Sequence, residues 1–174
     1  MLLSYTELCE LVDRGVITNV KPEMINATSI DVTLGSNWIL ESVVDDVRSY
    51  NSRYSPLECK LEQGAFFICP GQVVLAETQQ VFNLPLDISC EFKLKSSAAR
   101  FGLDHALAGW CDAGWNGSVL TLEIRNSLQY NTIQLCEGDA IGQMVFFRHA
   151  PVPYEKSYAA RGRYNRAGTV ESTK

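Results

Sequence analysis

Beyond Gly15 the apolar residues recur at every second position in short runs, and this alternation constrains the fold more than any other feature of the chain. Ser29-Ile-Asp-Val-Thr-Leu-Gly35 alternates with period two, and residues 36–40 extend it. Residues 65–69, 72–76, 88–94, 119–124, 132–135 and 140–147 follow as further β-rich runs. Successive side chains of a strand point to opposite faces, so these runs predict half-buried strands. Pro70-Gly71, Asn116-Gly117 and Glu137-Gly138 separate them as turns. The pattern is helical only near the start, where Ser4 and Glu7 form a capping box, Leu8, Leu11 and Val12 recur at helical spacing, and Gly15 stops the helix. Many short strands behind one short N-terminal helix predict a mainly β fold, a sandwich, jelly roll or barrel.

The 174 residues amount to one domain, with no internal repeat or linker. Residues 42–58, rich in Asp, Ser, Asn and Arg, read as a solvated insertion. From about residue 150 to 174 apolar anchors are few, which predicts a flexible arm that orders only against something else. Residues 1–147 carry nine basic and eighteen acidic groups, whereas residues 148–174 carry six basic and two acidic. An acidic body with a basic tail argues against nucleic-acid binding, which wants a broad basic face, and permits a small polyanion gripped by the tail. No run approaches the roughly 20 apolar residues of a membrane helix, and the first residues lack a basic signal-peptide flank. The six cysteines are never closer than ten residues, so no C-x-x-C pair exists, and they read as scattered reduced core thiols of a cytoplasmic protein.

Three segments are unusual for a plain β fold. In Lys95-Ser-Ser-Ala-Ala-Arg-Phe-Gly-Leu103, Ser96 and Arg100 share a face if the segment turns helical. A guanidinium there can bind phosphate or carboxylate through two hydrogen bonds, although an N-cap serine with a surface arginine explains the same residues. Ala108-Gly-Trp-Cys-Asp-Ala-Gly-Trp-Asn-Gly117 reads as a hairpin whose glycines let the backbone approach a ligand, with Trp115 offering a flat face and Asp112 an acceptor for a sugar hydroxyl. Core tryptophans beside an Asn-Gly turn would look alike. In residues 120–126, Thr121, Glu123 and Arg125 fall on one face of a strand and Leu120, Leu122 and Ile124 on the other. A mid-strand carboxylate is ordinarily solvated; lining a pocket or subunit interface, it becomes a general base with a raised pKa.

These segments, in order, with Gly138-Asp-Ala-Ile-Gly-Gln-Met-Val-Phe-Phe147 and Asn26-Ala-Thr-Ser-Ile-Asp-Val-Thr-Leu-Gly35, resemble the dCTP deaminase branch of the trimeric dUTPase-like superfamily. The resemblance runs from about Leu3 to Ser172. It implies a distorted β-barrel or jelly roll of the dUTPase-like type, assembled as a homotrimer with active sites between subunits. The implied activity is zinc-independent hydrolysis of dCTP to dUTP and ammonia, breaking a cyclic amidine C–N bond and supplying dUTP for dUMP and dTTP synthesis. Mg²⁺ enters with the triphosphate, and dTTP inhibits relatives. Independently, the H-x-E and P-C-x-x-C motifs of zinc deaminases are missing; Ala and Leu follow His105, Ala and Pro follow His149, and both read as structural or surface residues.

By position, Glu123 matches the family's general base, taking a proton from the water that attacks C4 and passing protons to N3 and the leaving amine. Ser96 and Arg100 match the hydroxyl and guanidinium that complete the pocket, while the neighbouring backbone, with Lys95 and Ser97, meets the phosphates. Ala108 and Gly109, beside Trp110, match backbone groups that read the pyrimidine edge. Asp112 matches the deoxyribose 3′-hydroxyl contact, Trp115 the sugar-packing aromatic, and Gln143 belongs to the Gly138–Phe147 motif. In the tail, Tyr154, Arg163 and Tyr164 match residues closing over the triphosphate, and Arg166 replaces a glutamine. Lys95 stands where an arginine is usual, Ala98 where a leucine is, and the spacing departs by one residue on either side of Trp115. The alternative is a bifunctional dCTP deaminase and dUTP diphosphatase yielding dUMP, which the Ala108–Gly117 block also resembles. A plain dUTPase would carry a Gly-Phe-Gly-Ser-type arm, which Arg161-Gly-Arg-Tyr-Asn-Arg-Ala-Gly168 lacks. A silent nucleotide-binding regulator would have no common reason to keep Ser96, Arg100 and Glu123 together.

Overall fold

The computed structural model describes residues 1–41, 57–61 (backbone) and 65–173. Helix α1 spans Tyr5–Asp13, and Glu7 Oε2 accepts from the Ser4 backbone N–H at 3.0 Å to close its capping box. It buries Leu8 and Leu11 against the sheet, and Gly15 turns the chain with φ +70°. The strands are β1 (Ile17–Thr18), β2 (Ile30–Glu41), β3 (Leu57–Leu61), β4 (Phe66–Ile68), β5 (Val73–Asn83), β6 (Ile88–Leu94), β7 (Leu103–His105), β8 (Trp110–Cys111), β9 (Asn116–Asn126), β10 (Ile133–Leu135) and β11 (Ala140–Arg148). Two short helices, α2 (Ser96–Arg100) and α3 (Tyr158–Arg161), complete the elements.

Nine strands form one antiparallel sheet in the order β7-β9-β5-β2-β11-β6-β8, with β1 added on β5 and β3 on β2; β4 and β10 pair apart from it. The sheet curls into a half-barrel. Its inner face is the alternating set of the sequence, including Ile30, Val32 and Leu34 of β2, Phe92 of β6, Leu122 and Ile124 of β9, and Met144 and Phe146 of β11. The mainly β architecture expected from the alternation is thus the observed one.

Several local expectations differ from the structure. Residues 108–117 are not a hairpin: β8 pairs with β6, placing Cys111 opposite Cys90, whereas β9 pairs with β5, placing Glu123 opposite Leu75. The turn lies at Ala113–Gly114, where Gly114 has φ +86°. Glycines permit a tight reversal, but partner choice is set elsewhere. A Cβ on Gly109 would lie 2.9 Å from the Phe92 carbonyl oxygen, and this close approach holds the segment on β6. Asn116-Gly117 is a bulge inside β9 rather than a turn; the register shifts there, and the Gly117 N–H donates to Asn83 Oδ1 at 3.1 Å. Of the expected insertion, residues 57 and 58 belong to β3 and the remainder lies outside the described residues. The thiols are not uniformly core: Cys69 is exposed, Cys9 and Cys136 are half-buried, and Cys90 and Cys111 are buried.

The C-terminal segment also departs from expectation, because it docks on its own sheet. Ala167 and Val170 are buried, and Val119 N–H donates to the Ala167 carbonyl at 2.9 Å. The anchor is the buried Glu77 of β5, whose Oε2 accepts from Val170 N–H at 2.7 Å and Thr169 Oγ1 at 3.0 Å, while Oε1 accepts from Asn37 Nδ2 at 2.6 Å. Gly35 makes room for it, since a Cβ there would lie 2.5 Å from Glu77 Cγ.

Candidate active site

The curl brings the two margins of the sheet toward each other, with the docked C-terminal segment between them. A cavity of about 390 Å³ lies there, lined by Ala108, Trp110 and Cys111 from the β8 side, Thr121 and Glu123 of β9, Tyr158 and Tyr164, and Glu171, Ser172 and Thr173 from the end of the chain. Glu123 is placed as the alternation of β9 requires, with Leu122 and Ile124 in the core and its own side chain turned to the cavity. Only 28% of that side chain is exposed, and burial pushes its pKa above the ordinary glutamate range.

His105, read from sequence as structural or surface, stands against this carboxylate. Its Nε2 lies 3.3 Å from Glu123 Oε2, its side chain is 5% exposed, and its ring packs on Phe92 with centroids 4.6 Å apart. Burial pushes its pKa down, against a smaller opposing pull from Asp104. Nothing in Leu-Asp-His-Ala announces this contact, which depends on β7 pairing with β9 and on Ala106 N–H donating to the Glu123 carbonyl at 3.2 Å. Tyr158 and the 171–173 segment were also missed; they reach the cavity through docking of the tail.

Of the residues singled out from sequence, the cavity gathers Ala108, Trp110, Trp115, Glu123 and Tyr164. Trp115 is mostly core: it stacks on Phe82 at 5.2 Å and its Nε1–H donates to the Tyr164 carbonyl at 2.9 Å. Gly109 is buried, and its carbonyl accepts from Phe92 N–H at 2.8 Å. Asp112 faces a neighbouring cavity of about 320 Å³ shared with Ser89, His149 and Lys156, and its Oδ1 accepts from Trp110 Nε1–H at 2.8 Å. Tyr154 and Arg166 line a third cavity with Asn83 and Asn165. Arg163, expected to close over the triphosphate, is exposed and does not line the Glu123 cavity, nor does the neighbouring basic residue Arg161 of the tail. Gln143 lies on β11, where its Oε1 accepts from Ser29 Oγ at 3.2 Å.

Lys95, Ser96, Ser97 and Arg100 do not line the Glu123 cavity either. The segment is helical, as expected for a shared Ser96–Arg100 face, but both residues are exposed, and Lys95 Nζ pairs with Asp31. The result is a division within one chain. The cavity holds two carboxylates and is lined by no lysine or arginine among the described residues, while the exposed cation and hydroxyls of α2 lie outside it. In the chain from α2 to β8, Phe101, Leu107 and Trp110 are exposed at 64%, 95% and 55%.

Comparison with known proteins places this arrangement. Residues 2–149 match the model of the dCTP deaminase-like family. A protein of Methanospirillum hungatei named "dCTP deaminase, dUMP-forming" is 34% identical over 177 residues, covering 98% of this chain and 95% of the relative. A protein of the same name from Streptomyces griseus is 34% identical over 189 residues, covering 98% and 94%. Among solved structures, the 2′-deoxycytidine 5′-triphosphate deaminase of Agrobacterium tumefaciens shares the fold with a TM-score of 0.67 at 18% identity, matching 85% of this chain and 48% of that one. With a family match over most of its length and relatives spanning almost all of it, the chain belongs to the dCTP deaminase-like family.

Proposed function

We propose that the protein hydrolyses dCTP to dUMP, ammonia and pyrophosphate in two steps. The reading is carried by Glu123, a half-buried carboxylate with a raised pKa in a cavity of about 390 Å³, in a chain of the dCTP deaminase-like family. In the first step Glu123 takes a proton from water as the oxygen adds to C4 and passes it to N3, then takes the proton of the new C4 hydroxyl and passes it to the departing amine. The C4–N4 bond breaks, ammonia leaves, and the ring becomes uracil. In the second step another water attacks the α-phosphorus and pyrophosphate leaves. Asp112 is our candidate for orienting that water: Trp110 Nε1–H holds its Oδ1, and Lys156 lines the same cavity and would supply a positive charge to the phosphates. The sequence favoured dUTP as the product; the relatives' names, dUMP-forming, favour the second step.

The division between cavity and α2 supports a site completed by a second copy, with Ser96 and Arg100 of one subunit supplied to Glu123 of another in a closed ring of three. The exposed Phe101, Leu107 and Trp110 are the surface such packing would cover. Arg100 would then hold phosphate through two hydrogen bonds and Ser96 would hold the attacking water. We assign Mg²⁺ to the nucleotide, as companion of its phosphates, since the ion is commonly held by substrate phosphates with few protein ligands. Incubation with dCTP and Mg²⁺ should release ammonia, dUMP and pyrophosphate in equal amounts. Accumulating dUTP would restore the single-step reading, and unchanged dCTP would contradict both.

A further inference from the structure

We propose that His105 is the positioning residue of Glu123, its imidazole N–H donating to Oε2 so that the other carboxylate oxygen is presented to the cavity. The proposal rests on the reading of Glu123 as the base and concerns how that base is held. Nε2 and Oε2 are 3.3 Å apart, and each is buried without a hydrogen-bond partner among the described residues, so the two atoms face one another without yet meeting hydrogen-bond geometry. Burying two polar atoms unpaired is costly, because each loses its hydrogen bond to water without replacement. That cost makes their mutual approach the natural resolution, and hydrogen bonds of this kind are commonly long before substrate closes the site.

The contact is a hydrogen bond from a neutral imidazole rather than an ion pair. Burial disfavours the charged form of each partner, lowering the histidine and raising the glutamic acid. The ionisable groups on the surrounding elements are few. Asp104 lies beside His105 on β7, Arg125 stands opposite Asp104 on β9, Arg100 ends α2, and Glu171 shares the cavity. Leu75 on β5 and Phe92 on β6 are apolar. Packed on Phe92, the imidazole is fixed in orientation, and a fixed donor fixes the carboxylate. Because Oε2 is buried, the exposed part of the glutamate, the part that can reach water or substrate, is the remainder facing the cavity. A donor to the carboxylate also favours its ionised form, offsetting part of the desolvation that would leave the base protonated.

Two variants separate positioning from packing. His105→Phe keeps a ring against Phe92 and removes the donor, and His105→Gln keeps an N–H donor. The readouts are ¹³C NMR titration of the Glu123 carboxyl in nucleotide-free protein, and kcat and KM for ammonia release from dCTP against pH. His105→Phe should move the Glu123 titration and the acid limb of kcat to higher pH and lower kcat about tenfold or more, with KM within about twofold; His105→Gln should recover most of both. Glu123 titrating in His105→Phe as in the wild type, or equal losses in the two variants, would overturn the proposal and leave the histidine a packing residue. The carboxyl titration decides the contact whatever the reaction, whereas a wild-type protein releasing no ammonia from dCTP would refute the deaminase reading instead.

Discussion

The Glu123 cavity and helix α2 are opposites in one molecule. Glu123 is mostly buried, desolvated and carried on the strand at the centre of the β7-β9-β5 margin, whereas Ser96 and Arg100 lie on a five-residue helix open to solvent. The contrast reflects the different requirements of the two tasks. A base is useful when burial raises its pKa toward the working range, and a rigid strand can pay for that burial. A guanidinium that must meet phosphate gains nothing from burial in the monomer, where desolvation would cost more than its partners return. In the proposed assembly, keeping the halves apart until subunits meet would let each chain fold without burying an unmatched charge.

Breaking the comparison at its buried end gives the largest effect. Glu123→Gln should lower ammonia release from dCTP by about a thousandfold, measured in single-turnover assays, without loss of the fold or of the assembly state of the wild type. Breaking it at the exposed end should be milder: Arg100→Ala is expected to cost about a hundredfold in kcat/KM, with a melting temperature unchanged because the side chain is exposed in the isolated subunit. Glu77 tests the anchoring of the C-terminal segment that lines the Glu123 cavity. Glu77→Ala leaves Val170 N–H, Thr169 Oγ1 and Asn37 Nδ2 without their acceptor, and should destabilise the protein by about 2–4 kcal/mol in denaturant titration. It should also open residues 169–173 to proteolysis.

The smallest expected effect is one of stability against pH. The folded pKa of Glu123 lies above its unfolded value, so the group's favourable contribution is complete below the unfolded glutamate pKa of about 4.3 and is lost as pH rises through the folded value. Glu123→Gln should therefore melt slightly higher than the wild type at neutral pH, with the difference vanishing near pH 4. An unchanged difference across that range would mean that the carboxyl is solvated in the folded protein.

Legibility from sequence followed locality. β2, β6 and β11 were readable because alternation reports a face wherever one side of a strand is core, and Glu123 was placed on the outward face by the same rule. What the pattern could not carry was partner choice. The block around Trp110 and Trp115 reads as a hairpin from its glycines, yet Gly109 ties one flank to β6 while the other joins β5. His105 was passed over because its relation to Glu123 spans two strands and 18 positions of chain. Glu77 was invisible for a related reason, since a strand carboxylate is ordinarily solvated and its partners sit more than 90 residues away in the tail. The charge asymmetry suggested a polyanion held by the tail, but the tail arginines do not line the Glu123 cavity in this chain, and α2 of a second copy takes that place in the proposal.

In the proposed assembly one active site uses Glu123 of one subunit and Arg100 of another, and complementation distinguishes this from a site within one chain. Glu123→Gln and Arg100→Ala proteins, each inactive or nearly so, would be unfolded together, refolded as mixed trimers and assayed for ammonia release from dCTP. With random assembly, about a quarter of the sites should combine an intact Glu123 with an intact Arg100, so activity should recover to about a quarter of the wild-type value. Mixed trimers as inactive as either parent would contradict the claim and place the whole site within one chain.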